Sequence, residues 1–191
     1  MITRAGLFGE EKQFFDRYIE DCGITCEVVT PQVVATPFYR GRFSALIIPT
    51  GFANPKYSCL LPALRASSSR IRKFVENGGN LLVFGAGDDK TDAYDWLPFQ
   101  VTYSHEYADC CLDFPLESDQ TSIVDDYDHT CIPCDGHFPS CDATVLATHC
   151  GKPVLIERRI GNGTILVTSI HEYPSKSFVG QFCSAGSETL F

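Results

Sequence analysis

Positive charge is scarce in this sequence of 191 residues. Its 15 lysines and arginines are outnumbered by 24 aspartates and glutamates, which gives a net charge of −9 and a pI of about 4.9. No basic stripe is available to neutralise a phosphate backbone, so we expect no nucleic-acid partner.

Long apolar runs are missing as well. No segment approaches the length of a membrane span, so we expect no membrane association. Glu10 and Glu11 interrupt the first apolar segment, which argues against a signal peptide. Together these absences predict a cytoplasmic protein.

The residues that are abundant indicate a single domain spanning 1–191. Apolar side chains make up 44% of the sequence, which is enough for one sizeable core. The ten cysteines are numerous, but a chain with this much core does not need disulfides. We expect reduced thiols that mostly serve as small core residues.

Strands and helices alternate in the first half of the sequence. Strands are predicted at 2–8, 26–30, 44–51 and 81–84, and helices at 10–23 and 67–79. In the first helix Phe14, Phe15, Tyr18, Ile19 and Cys22 share one face, and the second helix begins with serines that are candidate caps. Such alternation is typical of an α/β protein with a mostly parallel sheet and helices on both faces.

The second half is richer in strands. They are predicted at 99–103, 143–148, 153–160 and 164–170. Asn162 and Gly163, which tolerate positive φ, predict an antiparallel hairpin between the last two. The irregular segment 104–142 is predicted to form long loops over one edge of the sheet.

The segment "GGNLLVFGAGDD" at 78–89 has the pattern of a turn that presents a reactive side chain, but it lacks that side chain. Two glycines end a helix, a buried strand follows, and a tight Gly-Ala-Gly turn comes at the strand's carboxyl end. In α/β proteins such a turn presents a reactive side chain, yet this one contains no serine, cysteine or threonine. We call residues 85–87 the elbow.

Three segments together resemble the class I glutamine amidotransferase-like family, and most closely the domains found beside some biotin–protein ligases. They are "ALIIPTGFAN", "FVENGGNLLVFGAG" and "GNGTILVTSIHEYPS". The resemblance covers about two thirds of the chain and implies a flavodoxin-like fold. In that family the first segment contributes an oxyanion turn, the second carries the catalytic cysteine, and the third ends in the catalytic histidine.

The resemblance places particular residues of this chain in those roles. Gly51 falls in the oxyanion turn and His171 at the catalytic base, while Gly85 stands where the family has its cysteine and Gly87 follows it. A glycine cannot form the thioester that glutamine hydrolysis requires, so no glutaminase activity is expected. Glu172 directly follows the histidine, whereas the family's glutamate comes two residues later, and adjacent residues on an extended chain point to opposite faces.

Carboxylates after the elbow have two interpretations. Asp88 and Asp89 could hold a metal or act as a carboxylate pair, or could cap a following helix, and capping is the favoured interpretation for at least one of them. Tyr94 and Trp96 could line a pocket, but aromatic residues of this kind are more often core, which we favour here.

The segment "CIPCDGHFPSC" also allows two interpretations. Cys131, Cys134, His137 and Cys141 have the C-x2-C-x2-H-x3-C spacing of soft metal ligands, which suits zinc or an iron–sulfur centre. Alternatively the segment is a loop that lines the pocket near the elbow, so that Asp135 and His137 contact a ligand. The second interpretation is favoured, and no cofactor is expected.

Three functions follow from these observations. The first is a non-glutaminase member of the superfamily that binds a small polar molecule. Its site would comprise Gly51, Gly85, Gly87, Asp88, Asp135, His137 and His171, with His171 and Glu172 the only candidates for catalysis. The second is a non-catalytic partner or regulatory subunit, in a homo-oligomer or with another protein, whose pocket is vestigial. The third is a metal protein through the 131–141 cluster.

Overall fold

The computed structural model describes residues 3–11 and 14–191 of the chain. The strands are Arg4–Phe8 (β1), Thr25–Val29 (β2), Arg42–Phe43 (β3), Ala45–Ile48 (β4), Asn80–Val83 (β5), Ser104–Cys110 (β6), Ile132–His137 (β7), Thr144–His149 (β8), Lys152–Ile160 (β9), Gly163–Thr168 (β10) and Thr189–Leu190 (β11). The α-helices are Phe14–Asp21 (α1), Pro31–Ala35 (α2), Leu60–Glu76 (α3) and Lys176–Ala185 (α4), and Asp119–Val124 forms a 3-10 helix.

Seven strands form the central sheet, in the order β2-β1-β4-β5-β10-β9-β8. The first five run parallel to one another, whereas β9 and β8 are antiparallel to their neighbours. Strands β6 and β7 form a separate antiparallel pair. The predicted α/β class, with a mostly parallel sheet and a hairpin in the second half, is confirmed.

Alternating side chains on the buried strands fill a core on each face of the sheet. In β4, Leu46 and Ile48 pack in the cluster that includes Phe74 of α3. Ala45 and Ile47 face the opposite cluster, which contains apolar residues of α1 and α4. A strand that buries both faces has no polar positions, which is why its sequence reads as a continuous apolar run.

Helix α1 buries a narrower stripe than the sequence predicts. Phe15 and Ile19 face the core, but Phe14 is 80% exposed. Successive helical residues are about 100° apart, and the stripe that α1 buries does not extend to Phe14. The predicted strand at 2–8 and helix at 10–23 also include Ile2, Lys12 and Gln13, which lie outside the described residues.

Helix α3 begins at Leu60, seven residues before the predicted start at 67. Apolar residues of its first turns, including Leu60 and Leu64, are buried. The serines therefore lie inside the helix and do not cap it, and Ser67 Oγ donates a hydrogen bond to the Ala63 carbonyl 2.7 Å away. This bond satisfies the hydroxyl within the helix and makes a mid-helix serine tolerable.

The segment 104–142 is more regular than predicted, because it contains β6 and β7. The polar residues of β6 hid the strand from sequence inspection, since most of its side chains are exposed and only Cys110 is fully buried. The predicted strand at 99–103, in contrast, is reduced to an isolated bridge between Val101 and Cys141.

The predicted β9–β10 hairpin is present, but its turn lies one residue earlier than expected. Ile160 pairs with Gly163, so the two turn residues are Gly161 and Asn162. Positive φ falls on Gly161, at 58°, and not on the predicted Asn162-Gly163 pair. A glycine at the first central position is typical of a type II′ hairpin turn.

Across residues 3–11 and 14–191, the structure contains no helix with the length and hydropathy needed to cross a membrane.

Candidate functional site

Three strand ends come together at the carboxyl edge of the sheet. β4, β5 and β10 are parallel neighbours, so the residues that follow them meet at one edge. The Gly51 amide donates a hydrogen bond to the Gly85 carbonyl at 2.8 Å. His171 follows β10 by three residues.

Close backbone packing at the elbow requires a glycine at position 87. Gly87 has a φ of +66°, and a Cβ built on it would lie 2.7 Å from the Gly51 Cα. Asn54 Nδ2 donates a 3.0 Å hydrogen bond to the Gly87 carbonyl and holds the two turns together. Gly51 and Gly87 therefore act as mutual packing partners.

The space beside Gly85 is filled by a carboxylate from β7. A Cβ built on Gly85 would lie 2.7 Å from Asp135 Oδ2 and 2.8 Å from Asp135 Cβ. Both distances are shorter than real Cβ contacts allow. Any side chain at position 85 would therefore displace Asp135.

Asp135 and His171 form a hydrogen-bonded pair beside the elbow. His171 Nδ1 lies 2.9 Å from Asp135 Oδ1, and the exposed fractions of the His171 and Asp135 side chains are 47% and 5% respectively. The second oxygen, Asp135 Oδ2, has no hydrogen-bond partner among the described residues. The exposed Tyr107 ring lies edge-on to the imidazole, with 5.8 Å between centroids. The pair thus joins a buried carboxylate to a half-exposed imidazole.

Two buried tyrosines stand behind the elbow. The Tyr94 hydroxyl donates to the Phe84 carbonyl at 2.9 Å, and the Tyr103 hydroxyl donates to the Asp135 carbonyl at 2.8 Å. Burial raises the pKa of both phenols. The Gly51 amide, which the resemblance makes a candidate oxyanion donor, is already paired with the Gly85 carbonyl.

Within the described residues, no hydrogen bond or ion pair joins Glu172 to His171 or Asp135. His171 bonds to Asp135, while Glu172 is close enough to Tyr127 to add to the rise in the pKa of that phenol, which burial mainly causes. The carboxylate that orients the imidazole thus comes from β7 and not from the residue that follows the histidine.

Asp88 and Asp89 do not cap a helix. Residues 88–103, all of which the structure describes, form turns without a helix. Asp88 pairs with Lys90 at 2.8 Å, and this contact lowers the pKa of the carboxyl. The prediction that one of them caps a helix is wrong. Tyr94 and Trp96, in contrast, are core residues as predicted.

The four residues of the 131–141 cluster are not assembled into a metal site. Cys134 is buried in the core on one face of the sheet, Cys141 packs against the core on the other, and Cys131 is exposed. Within 3–11 and 14–191, no group of three or more His, Cys, Asp or Glu side chains is arranged to hold a metal ion. His137 is half-buried, and burial, followed by the charge of Lys152, lowers its pKa.

The cysteines serve as core residues less often than the sequence predicts. All ten are free thiols. Four are buried, two are intermediate and four are exposed. The buried ones are Cys26, Cys110, Cys134 and Cys183.

A cavity of about 170 Å³ opens between the carboxyl ends of β1 and β4. It lies where the chain's strand order changes direction, since β1 pairs with β2 on one side and with β4 on the other. Such switch points are the usual ligand positions in open α/β sheets. Its lining residues include Glu10, Thr50, Gly51 and Ser58, so Gly51 connects this cavity to the elbow.

Sequence reasoning missed Tyr103 and Tyr107 as residues of the site. Tyr103 lies in a segment predicted as an ordinary strand, and Tyr107 in one predicted as loop. Neither has a local signal, because its place beside Asp135 or His171 is set by the pairing of β6 with β7.

Comparison with known proteins shows the fold but no close relative. No family model matches the sequence, and no curated protein matches it. A Thermoplasma acidophilum protein, provisionally named as one component of a GMP synthase, superposes with a TM-score of 0.66 at 11% identity, over 97% of this chain and 94% of its own. A cytoplasmic protein of Salmonella typhimurium LT2 superposes with a TM-score of 0.56 at 16% identity, over 96% of both chains.

The same fold also occurs within longer proteins. The β-galactosidase of the Antarctic haloarchaeon Halorubrum lacusprofundi matches 96% of this chain, with a TM-score of 0.56 at 12% identity, but only 30% of the enzyme is covered. Identities this low establish a shared α/β fold and nothing about activity.

Proposed function

We propose that this chain is a non-glutaminase member of the class I amidotransferase-like superfamily that binds a small polar molecule at the carboxyl edge of the sheet. The supporting observation is the Asp135–His171 pair. It places a buried carboxylate where the nucleophile side chain would be and leaves the imidazole half-exposed at the strand ends. Ligands of α/β sheets bind at this edge.

Ligand binding is tested by following the imidazole signals of His171 by NMR while small amines, alcohols, carboxylates and amino acids are added singly. A ligand of the site should shift the His171 signals and raise Tm, because it binds only the folded state. His171→Ala should remove the rise. His149→Ala is the matched control, since His149 contacts Cys111 and Cys150 instead of Asp135. Binding that survives His171→Ala would place the ligand elsewhere.

Glutamine hydrolysis should be undetectable, because position 85 has no nucleophile and the Gly51 amide is paired with the Gly85 carbonyl. Ammonia release from glutamine is the measurement, made on the wild type and on Gly85→Cys. The variant should also stay inactive, since its side chain would collide with Asp135 and Glu172 does not orient His171. Release that disappears in His171→Ala would contradict the assignment of the elbow.

A partner or regulatory role is the second candidate, and the pairing of the Gly51 amide favours it. The Gly85 carbonyl occupies an amide that an oxyanion would need, as expected for a vestigial pocket. The occurrence of the fold as one part of a β-galactosidase chain is consistent with a module that serves a larger assembly. Light scattering on the purified chain tests self-association: a homo-oligomer would favour this role, and a monomer that binds one of the small molecules above would favour the first.

A further inference from the structure

We infer that Asp135 fixes the tautomer of His171, so that Nε2 is the atom that accepts a hydrogen bond from the bound ligand. This inference rests on the proposed ligand site and adds the chemistry of that site. It assigns Asp135, which the sequence indicates only as a ligand contact, as the positioning residue. The ligand class that it implies is a molecule with a proton donor, such as a hydroxyl or an ammonium group.

The pair is held rigidly by the backbone on both sides. The Asp135 amide donates to the Ser169 carbonyl at 2.6 Å, and the His171 amide donates to the Pro133 carbonyl at 2.9 Å. Cys134 and Ile170, which lie between these residues, form an antiparallel bridge. The two segments are therefore aligned before any ligand arrives, which is the condition for a preorganised acid–base pair.

Hydrogen-bond chemistry decides where the ring proton lies. An ionised carboxylate only accepts hydrogen bonds, so the 2.9 Å contact requires a proton on His171 Nδ1. In the neutral ring Nε2 then carries the lone pair. A ligand X–H that reaches Nε2 can therefore donate a hydrogen bond to that nitrogen, while Asp135 keeps the ring in the accepting tautomer.

The burial of Asp135 strengthens this arrangement. Oδ2 is buried and makes no hydrogen bond within the described residues. The Asp135 carboxylate therefore bonds to the imidazole through Oδ1. A buried carboxylate with one oxygen unsatisfied gains most from a strong bond at the other. Gly85 maintains this geometry, since a Cβ there would push Oδ2 away.

The tautomer is measured directly by long-range ¹H–¹⁵N NMR of the histidine rings in the wild-type protein. At a pH where His171 is neutral, Nδ1 should give the protonated signal and Nε2 the unprotonated one. The opposite pattern would overturn the inference without any variant. In Asp135→Ala the ring should revert to the Nε2–H form that predominates in free histidine.

Chemical modification supplies a second measurement. Diethyl pyrocarbonate reacts with the unprotonated ring nitrogen, so carbethoxylation of His171 should be several-fold slower in Asp135→Ala than in the wild type. Glu172→Gln, the matched control, should leave the rate unchanged. Equal rates in the wild type and Asp135→Ala would contradict the inference, as would slowing in Glu172→Gln. If none of the small molecules binds, the proposed function is contradicted. The tautomer measurement does not depend on that outcome.

Discussion

At the scale of single residues, Gly85 and Asp135 depend on each other, because the Asp135 side chain fills the space beside the glycine. The sequence shows only that a nucleophile is missing at position 85. The structure adds that the space is occupied, because Asp135 Oδ2 would lie 2.7 Å from a Cβ there. A cysteine introduced alone at position 85 would therefore displace Asp135 and disturb the site.

Gly85→Ala should destabilise the protein by about 1–3 kcal/mol, the usual cost of overpacking a filled interior. Urea unfolding provides the measurement. Gly180→Ala is the matched control, because a Cβ at this helical position meets nothing within 4 Å, and alanine there should stabilise by up to about 1 kcal/mol. Equal responses of the two variants would show that Asp135 moves aside freely.

His137 should make stability depend on pH. Its folded pKa is lowered mainly by burial, so the unfolded chain binds more protons as the pH falls below its own pKa of about 6.5. The contribution of His137 to the free energy of unfolding is therefore fully present above that pH and decreases below it. His137→Gln should flatten the Tm-versus-pH curve in this window. A wild-type slope that survives in His137→Gln would refute the assignment.

At the scale of elements, the β8–β9 hairpin contains an unfavourable turn residue. Cys150 has a φ of 50° and Gly151 a φ of 75°, and His149 pairs with Lys152 across the turn. Two positive φ angles in a two-residue loop are typical of a type I′ turn, where asparagine and glycine are favoured. Among the residues that the structure describes, Cys150 is the only non-glycine with positive φ.

Cys150→Asn should consequently stabilise the hairpin by about 0.5–1 kcal/mol, because asparagine tolerates this conformation better than cysteine. Gly151→Ala should act in the opposite direction by about 1 kcal/mol through backbone strain alone, since a Cβ there has no neighbour within 4 Å. Thermal unfolding of Cys150→Asn and Gly151→Ala measures both effects. Two shifts of the same sign would be incompatible with a type I′ turn.

Element prediction succeeded where burial on two faces left a clear pattern. The apolar runs of β4, β5 and β10 are short strands packed between two helical layers, and they were found from the sequence. Strands β6 and β7 were missed because their polar and glycine-containing sequences resemble loops. The pairing between them, which long-range hydrogen bonds create, is not encoded in a local pattern.

At the scale of the whole molecule, distant segments close the core beneath the sheet. Phe191 packs against Phe8 and Phe74, and its ring lies 4.3 Å from the Arg70 guanidinium carbon. Strand β11 pairs with β3, and this pairing brings Phe191 to that position. One aromatic ring therefore joins the first strand, α3 and the last strand.

Phe191→Ala should lower the free energy of unfolding by about 3–5 kcal/mol, as expected for removal of a buried aromatic side chain. Phe38→Ala is the control, since Phe38 is 83% exposed, and its effect should stay within about 0.5 kcal/mol. Urea denaturation monitored by circular dichroism measures the free energy of unfolding of both variants. Similar losses in both variants would show that Phe191 does not belong to the core.

The sequence by itself determined the fold class, the absence of a nucleophile at position 85 and the placement of His171 just beyond a buried strand. These features depend on local periodicity and on residue identity, which a single chain displays directly. Only the tertiary structure decided which carboxylate accompanies the histidine. Glu172 is its neighbour in sequence, but Asp135, 36 positions earlier, is its partner in space. The reason is that backbone pairing between β7 and the segment after β10 sets that contact, and such pairing depends on the whole sheet.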